Sequence, residues 1–328
     1  MGVTRSEADN GDMTEPALPT YDGVLAAAAA IAAVLPPTPA WRYPLMDELA
    51  GCSIVVKHEN VQPTGAFKAR GGLALLAAGF SEAPGLVTAS TGNHAQSIAF
   101  AARRYGIPAV VVMPESSPRN KIAAVRALGA EVVLDGETMT DAGAIGRRLA
   151  ALRGWSYIDP AERDIIHGHG TVALEVFQAF PDLEAYYVPI GSGTGAASAC
   201  LVRDHLAPAC RIIGVQSEAA PAAYESYRAG HLVTAPCTTA ASGLATASGY
   251  ELPQRILRER LDDFLLVTES ELDAARILLA THAHTLAEGA GAAALAGLLA
   301  DPHRPKHCAV IVTGGNADDR ELASLQSA

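Results

Sequence analysis

The most informative part of the chain reads LVTASTGNHAQSIAFAARRYGIPAVVVMP, residues 86–114. Its first run, LVTAS, and its last, PAVVVMP, are predicted to be strands because they are short and rich in β-branched residues. The stretch between them, from Asn93 to Gly106, is predicted to be a helix that ends at its glycine. A strand, a helix and a second strand in this order are typical of a βαβ unit with parallel strands.

The same alternation continues along the chain. After residue 114 the sequence predicts a helix over 118–129, a strand over 130–136, a helix near 141–153 and a strand beginning at 155. A second series contains strands over 186–191, 211–218 and 307–315, and helices over 196–205, 270–282 and 289–299. Because no Gly/Ser linker separates the two series, we expect an α/β protein whose two parts pack together.

Composition excludes several classes of protein. The chain has 328 residues, of which 49% are hydrophobic and 18% charged, enough for one large domain or two smaller ones. A net charge of −11 predicts no surface for nucleic acid or for an anionic membrane. The apolar run at 24–35 is too short to span a bilayer, and we expect an Ala-rich helix there. Residues 1–20 are predicted to be a disordered tail.

The five cysteines are scattered along the chain without a CxxC pair. We interpret them as reduced thiols of a soluble, cytoplasmic protein, so neither a zinc site nor a disulfide framework is expected. The cysteines are Cys52, Cys200, Cys210, Cys237 and Cys308.

Three loops of small residues follow apolar strands, at 88–96, 189–197 and 312–318. Ligands of open parallel sheets bind beyond the carboxyl ends of the strands, so the three loops predict one shared cleft. The loop Gly191-Ser192-Gly193-Thr194-Gly195 suits an anion, because glycines let backbone N–H groups converge ahead of a helix. Taken alone, this loop is compatible with a tight turn, a dinucleotide site or a monophosphate site.

Lys68 lies among small and apolar neighbours in PTGAFKARGG, residues 63–72. A buried lysine is costly unless its pKa falls or it bonds covalently, so this amine is a candidate for a Schiff base. A Schiff-base lysine together with a monophosphate site is what pyridoxal 5′-phosphate requires. Three other candidates also have ordinary explanations: Asn93 as a helix cap, His94 as a packing residue, and Glu288 as a charge at a helix N-terminus.

Five motifs occur in a fixed order, namely HENVQPTGAFKARGG, TASTGNHAQSIAFAARRYGIPAVVVMP, IGSGTGAAS, LAEGAGAAALA and VTGGN. Together they resemble the threonine/serine dehydratase group of the tryptophan-synthase-β-like (fold type II) enzymes that use pyridoxal 5′-phosphate. The resemblance covers residues 22–320. It implies two open, twisted, mostly parallel sheets flanked by helices, with the cofactor in the cleft between two domains. The small domain would be residues 82–159, and the large domain residues 21–81 and 160–328.

The resemblance also implies roles for individual residues. Lys68 would bind the cofactor covalently and carry protons, Phe67 would pack beside the ring, and Asn93 would hydrogen-bond the ring hydroxyl. The phosphate would lie on Gly191, Ser192, Gly193, Thr194 and Gly195, the pyridine nitrogen opposite Thr313, and Glu288 near the ring. The substrate would be bound by Ser90, Thr91, Gly92, His94 and Gly243.

The implied reaction converts L-threonine or L-serine into a 2-oxo acid and ammonia. Alternatives are a different β-hydroxy amino acid (3-hydroxyaspartate, phenylserine or a hydroxyectoine-derived compound), an amino-acid racemase, or a binding protein that retains the fold without catalysis. Thr91 occupies the position at which serine racemases have a second acid–base serine, so it is a second candidate catalytic residue. The resemblance further suggests a homodimer.

The sequence departs from the family pattern at several positions, including the loop GSGTG where the family often has GGGGL. Ala66 replaces a frequent serine, and Ser242 stands where many members have an aspartate. The metal-binding members have a carboxylate at the position of Tyr224, so no metal site is expected here although Glu218 is present.

Overall fold

A computed structural model describes residues 17–325 of the chain, which form two sheets. The strands are β1 (Ala40–Arg42), β2 (Ser53–His58), β3 (Leu86–Ala89), β4 (Ala109–Met113), β5 (Glu131–Leu134), β6 (Ser156–Tyr157), β7 (Ala185–Pro189), β8 (Arg211–Ser217), β9 (Asp263–Val267) and β10 (His307–Val312). The helices are α1 (Tyr21–Ile31), α2 (Pro44–Ala50), α3 (Lys68–Ala77), α4 (Asn93–Tyr105), α5 (Arg119–Ala127), α6 (Met139–Arg153), α7 (Arg163–Ala179), α8 (Thr194–Leu206), α9 (Ala222–Ala229), α10 (Glu251–Arg260), α11 (Glu269–His282), α12 (Gly289–Ala300) and α13 (Asp319–Ser324).

The smaller sheet contains the βαβ unit from which the sequence analysis started. Its four strands run parallel in the order β5-β4-β3-β6. Helix α4 connects β3 to β4, which confirms the prediction for residues 86–114. The helix ends because Gly106 adopts the left-handed conformation (φ 71°), a backbone geometry that favours glycine at this position.

The larger sheet has the order β1-β2-β10-β7-β8-β9 and is parallel except for β1, which pairs antiparallel with β2 at the edge. Its central strands are buried on both faces, as expected for parallel strands covered by helices. The α/β prediction is therefore confirmed. Strands β1, β2 and β9 were not predicted, and neither were helices α2, α3, α7, α9, α10 and α13.

Helix α7 holds α3 in place through a close approach of the two backbones. A Cβ atom on Gly168 would lie 2.5 Å from the Arg70 carbonyl oxygen and 2.8 Å from the Gly71 Cα atom. Only a residue without a side chain allows this spacing, since real Cβ atoms do not approach other atoms so closely. The contact therefore fixes the position of α3, whose first residue is Lys68.

Of the predicted tail, residues 1–20, the first 16 residues lie outside the described part of the chain. Residues 17–20 lead into α1, and Thr20 caps that helix by accepting a hydrogen bond from the Gly23 N–H. Within residues 17–325, no helix is both long and apolar enough to span a bilayer.

Candidate active site

One cavity of about 680 Å³ brings together all of the candidate residues from the sequence analysis. Phe67 and Lys68 line the cavity from the start of α3. Most of the other candidate residues lie in the loops after β3, β7 and β10. The predicted residues that line it are Phe67, Lys68, Ser90, Thr91, Gly92, Asn93, His94, Gly191, Ser192, Gly193, Thr194, Gly195, Gly243, Glu288 and Thr313. The carboxyl ends of strands from both sheets thus meet at one cavity, as the three loops predict.

The Lys68 amine is partly buried and has no carboxylate among its hydrogen-bond partners. Its Nζ donates to the hydroxyl oxygens of Thr194 at 3.2 Å and Ser192 at 3.5 Å. Burial disfavours the charged form and lowers the pKa of Lys68 to about 8. A substantial fraction of the amine is therefore neutral near physiological pH, which is the form that attacks a carbonyl or accepts a proton.

A buried group of charges anchors α3 beneath that amine. Arg70 donates hydrogen bonds to both carboxylate oxygens of Glu59 and of Glu175, and Lys57 donates to Glu175. Lys57, Glu59 and Arg70 are almost completely inaccessible to solvent. The sequence analysis did not identify this group, although charged residues in the apolar segment around β2 were the available signal.

The glycine-rich loop joins β7 to α8 at the wall of the cavity. Gly193 has a φ of 84°, a conformation that favours glycine, and it immediately precedes the first helical residue, Thr194. A Cβ atom on Gly191 would lie 2.2 Å from the Gly243 carbonyl oxygen, so this position also requires glycine for packing. The packing explanation is therefore correct for Gly191, while the helix N-terminus beside it remains available to an anion.

Asn93 is held by hydrogen bonds on both sides of its amide. Its Nδ2 donates to Glu288 Oε1 at 2.6 Å, and its Oδ1 accepts from Asn316 Nδ2 at 2.8 Å. One N–H of the Asn93 amide is left for a ligand, since the NH₂ group has two donors. Asn316 was not predicted as a site residue, although it belongs to the VTGGN motif.

Glu288 is the N-cap residue of α12 and so lies at a helix N-terminus, as the ordinary explanation holds, but its side chain makes no capping hydrogen bond. The Gly289 N–H at the start of α12 is instead bound by the Glu321 carboxylate at 2.8 Å. Burial and the nearby Glu321 charge raise the pKa of Glu288 to about 7. The Glu288 side chain is thus free to hold Asn93 in the cavity.

His94 is a buried, neutral imidazole at the wall of the cavity. Burial and the Lys68 charge lower its pKa to about 3. Its Nε2 lies 3.0 Å from the Thr88 hydroxyl, which donates its own hydrogen to the Ile158 carbonyl. The Thr88 oxygen must therefore accept from His94 Nε2–H, and this leaves Nδ1 as an acceptor.

A second histidine, His169 of α7, lies behind the glycine-rich loop and was not predicted. Its Nδ1 lies 3.0 Å from the Thr194 hydroxyl, and its ring packs against Phe67 with 4.6 Å between the ring centroids. Because α7 itself was not recognised from the sequence, nothing indicated that His169 would be near the cavity.

These features fit pyridoxal 5′-phosphate. Lys68 would supply the covalent amine, and the N-terminus of α8 with Ser192 and Thr194 would hold the phosphate. Thr313 lines the cavity and donates its hydroxyl hydrogen to the Ala290 carbonyl; it would turn this hydrogen to the pyridine nitrogen, which accepts a hydrogen bond, when the cofactor is bound. A Cβ atom on Gly195 would lie 3.4 Å from the Phe67 ring, so the loop and the aromatic side chain are in contact.

Metal-binding side chains are not clustered in the described part of the chain. No group of three or more His, Cys, Asp or Glu side chains within residues 17–325 is arranged to hold an ion. Tyr224 packs edge-on against Phe264 instead.

Comparison with known proteins assigns a family. The family model described as "Pyridoxal-phosphate dependent enzyme" matches residues 31–314. An L-threonine ammonia-lyase of Geobacter sulfurreducens is 39% identical over 84% of this chain and 70% of that protein. An L-threo-3-hydroxyaspartate ammonia-lyase of Saccharomyces cerevisiae is 34% identical over 94% of this chain and 97% of that protein. The solved structure of maize serine racemase superposes with a TM-score of 0.89 at 28% identity, covering 95% of this chain and 98% of that one.

Proposed function

This chain belongs to the family of pyridoxal-phosphate dependent enzymes, and from that premise we propose that it is an ammonia-lyase for L-threonine, L-serine or both. It is a lyase that uses pyridoxal 5′-phosphate. The reaction removes the Cα proton and the Cβ hydroxyl as water, and hydrolysis of the resulting enamine gives a 2-oxo acid and ammonia. Threonine would yield 2-oxobutanoate, and serine would yield pyruvate.

The observation that carries this proposal is the environment of Lys68. Its amine, with the pKa lowered to about 8, lies in the same cavity as the glycine-rich loop and residues 90–94. The bound cofactor would withdraw electrons from the substrate Cα atom and so acidify its proton. Lys68 would then accept that proton, a role for which a pKa near the working pH is suited.

The other proposed roles follow from position. Ser90, Thr91 and Gly92 precede α4, so their hydroxyl and backbone N–H groups would bind the substrate carboxylate at the positive end of that helix. Asn93, fixed by Glu288 and Asn316, would orient the cofactor ring through its free N–H. The homodimer and the domain boundaries at residues 82 and 159 are proposed from the family resemblance, and the cytoplasmic location is proposed from the scattered, unpaired cysteines.

The test is a panel of β-hydroxy amino acids assayed for 2-oxo acid and ammonia. Threonine and serine are expected to give both products in equal amounts, and a Lys68→Ala variant is expected to give neither. Borohydride treatment should attach the cofactor mass to the peptide that contains Lys68. If the D-amino acid forms in place of the 2-oxo acid, with Thr91→Ala abolishing its formation, the enzyme is a racemase and the proposal is wrong.

Arg147 favours 3-hydroxyaspartate as a second candidate substrate. Of the cavity-lining residues in the described part of the chain, Lys68 and Arg147 are the two with a lysine or arginine side chain. The Arg147 guanidinium lies 4.3 Å from the Tyr157 ring centroid and only loosely contacts Asp159, at 3.4 Å. A second substrate carboxylate on Cβ could therefore form a charge-assisted hydrogen bond with it.

Substitutions at two adjacent arginines distinguish 3-hydroxyaspartate from threonine as the substrate. If 3-hydroxyaspartate is the substrate, Arg147→Gln is expected to lower its kcat/KM about tenfold or more, the usual effect of losing a hydrogen bond to a charged group, and to spare threonine. Arg148→Gln is the matched control because Arg148 is exposed and does not line the cavity. An equal effect of Arg147→Gln on both substrates would contradict this role.

A further inference from the structure

Thr194 connects the glycine-rich loop to a group that lies outside the cavity. Its Oγ1 lies 3.2 Å from both Lys68 Nζ and Ser192 Oγ, and 3.0 Å from His169 Nδ1. Thr194 and His169 are each about 1% exposed. His169 does not line the main cavity, so it affects a ligand there through its neighbours, by a hydrogen bond with Thr194 and by ring packing against Phe67.

The second ring nitrogen of His169 has no hydrogen-bond partner. His169 Nε2 is buried, and it points at α3, because a Cβ atom on Gly71 would lie 2.5 Å from it. Burial and the nearby positive charge of Lys68 lower the pKa of His169, so the ring is neutral and carries one hydrogen. A histidine bound firmly at both nitrogens has its tautomer fixed, but His169 makes no regular hydrogen bond at Nε2 and only a weak contact with the Lys68 backbone, so its hydrogen can lie on either nitrogen.

The Thr194 hydroxyl has one hydrogen, so its direction depends on what occupies the loop. A charged Lys68 amine can only donate, and Thr194 then accepts from it and can donate to a bare His169 Nδ1. A phosphate dianion can only accept, and Thr194 must then donate to it and accept from His169 Nδ1–H. The imidazole is able to follow this reversal, whereas an amide side chain would have to rotate.

We propose that His169 is a positioning residue for the phosphate end of the cofactor, acting through the Thr194 hydroxyl without touching the cofactor. With the loop filled, His169 donates from Nδ1 and turns the Thr194 hydrogen towards the phosphate. With the loop empty, it accepts at Nδ1 and leaves Thr194 as an acceptor for Lys68. This role rests on the proposed function only in placing the phosphate on residues 191–195.

A double-mutant cycle on cofactor affinity tests whether His169 acts through Thr194. We expect His169→Phe to raise the dissociation constant for pyridoxal 5′-phosphate about tenfold, which is the effect of losing one ordinary hydrogen bond. Thr194→Val should raise this dissociation constant by at least as much. Adding His169→Phe to Thr194→Val should not raise it further. The proposal is overturned if the fold-changes of the two single variants multiply in the double variant, or if His169→Phe binds the cofactor as tightly as the parent.

A second measurement covers the possibility that His169→Phe fails to fold. Nitrogen-15 NMR of histidine-labelled protein reports which ring nitrogen carries the hydrogen, and the spectrum of His169→Gln identifies the His169 signal. Nδ1 should be unprotonated in cofactor-free protein without phosphate, and protonated in the holoenzyme and after addition of inorganic phosphate. A tautomer that stays the same in all three states contradicts the proposal. Neither experiment uses a substrate, so failure of the ammonia-lyase assignment would leave both readouts unchanged.

Discussion

Two buried lysines of this enzyme have opposite relations to stability. Lys57 is paired with Glu175, and removing one partner of a buried pair leaves an uncompensated charge. Lys68 is bound by two hydroxyls and lies over the Phe67 ring without a carboxylate partner, so the folded state bears the cost of desolvating its ammonium group. Of these two lysines, Lys57 therefore supports the stability of the fold, whereas Lys68 serves the chemistry of the site.

Substitution by methionine should reveal this difference. We expect Lys57→Met to lower the free energy of unfolding by about 3–5 kcal/mol. Lys68→Met should leave it unchanged or raise it at pH 7, because Lys68 is mostly charged below its folded-state pKa of about 8, and the folded state then bears the cost of holding that charge out of water. Denaturant titration of the cofactor-free variants measures both effects. A large loss of stability in Lys68→Met would show that the lysine is structural.

Glu288 should make the stability of the protein depend on pH. Its pKa is raised to about 7, so between about pH 4.5 and 7 the folded state binds more protons than the unfolded state, and stability falls as pH rises. The loss attributable to Glu288 is about 3 kcal/mol, from a shift of roughly 2.5 pKa units. Denaturation at pH 5 and pH 8 should show Glu288→Gln gaining stability relative to the parent between the two pH values, whereas the exposed control Glu115→Gln should change in parallel with the parent.

At the residue scale, the sequence predicted which side chains line the cavity but not what supports them. Lys68, Asn93 and Glu288 lie in recognisable motifs, and the loops that carry them follow strands. The partners Glu175 and His169 belong to α7, far along the chain from those motifs. Contacts of this kind depend on how helices pack, which no local pattern encodes.

At the scale of elements, the contact between α3 and α7 links packing to catalysis. Gly168→Ala would place a methyl group against the α3 backbone, so we expect it to reduce the free energy of unfolding by about 1–3 kcal/mol and to weaken cofactor binding. Gly143→Ala is the matched control, since its Cβ atom would meet nothing closer than Tyr157 Oη at 3.7 Å. It should raise stability by up to about 1 kcal/mol because alanine favours helix. Equal effects of the two substitutions would contradict this explanation.

Elements were predicted best where the chain alternates regularly. Strands β3, β4, β5, β6, β7, β8 and β10 and helices α4, α5, α6, α8, α11 and α12 agree with the sequence patterns to within a few residues, whereas β9, α7, α9 and α10 were not predicted. The segment before Lys68 was not predicted, because β1 is short and lies at the sheet edge, and β2 contains a lysine and a histidine that interrupt its apolar pattern.

At the scale of the whole molecule, Lys121 connects the two halves of the cavity. It belongs to α5 beside the smaller sheet, and its Nζ donates to Ser242 at 2.8 Å and lies 3.8 Å from the Asp318 carboxylate. Both partners lie in loops associated with the larger sheet, and Ser242 lines the cavity. Ser242, which stands where many family members have an aspartate, is therefore hydrogen-bonded by a lysine from the side of the cavity next to the smaller sheet.

Removing this connection should loosen the cavity without affecting either sheet. We expect Lys121→Met to increase hydrogen exchange of backbone amides at 240–250 several-fold and to raise KM, with kcat less affected, since binding would have to order the loop. Hydrogen-exchange mass spectrometry and steady-state kinetics measure the two quantities. Exchange that increases uniformly over the chain would indicate global destabilisation instead.

The buried charges beneath α3 also constrain how this sequence can diverge. Two cations, Lys57 and Arg70, face two anions, Glu59 and Glu175, so their formal charges sum to zero. A single replacement leaves an unpaired charge in the interior, whereas a simultaneous neutral replacement can be tolerated. Positions 57, 59, 70 and 175 are therefore expected to vary together during evolution, and a redesign of the active-site lysine's support has to alter them as one unit.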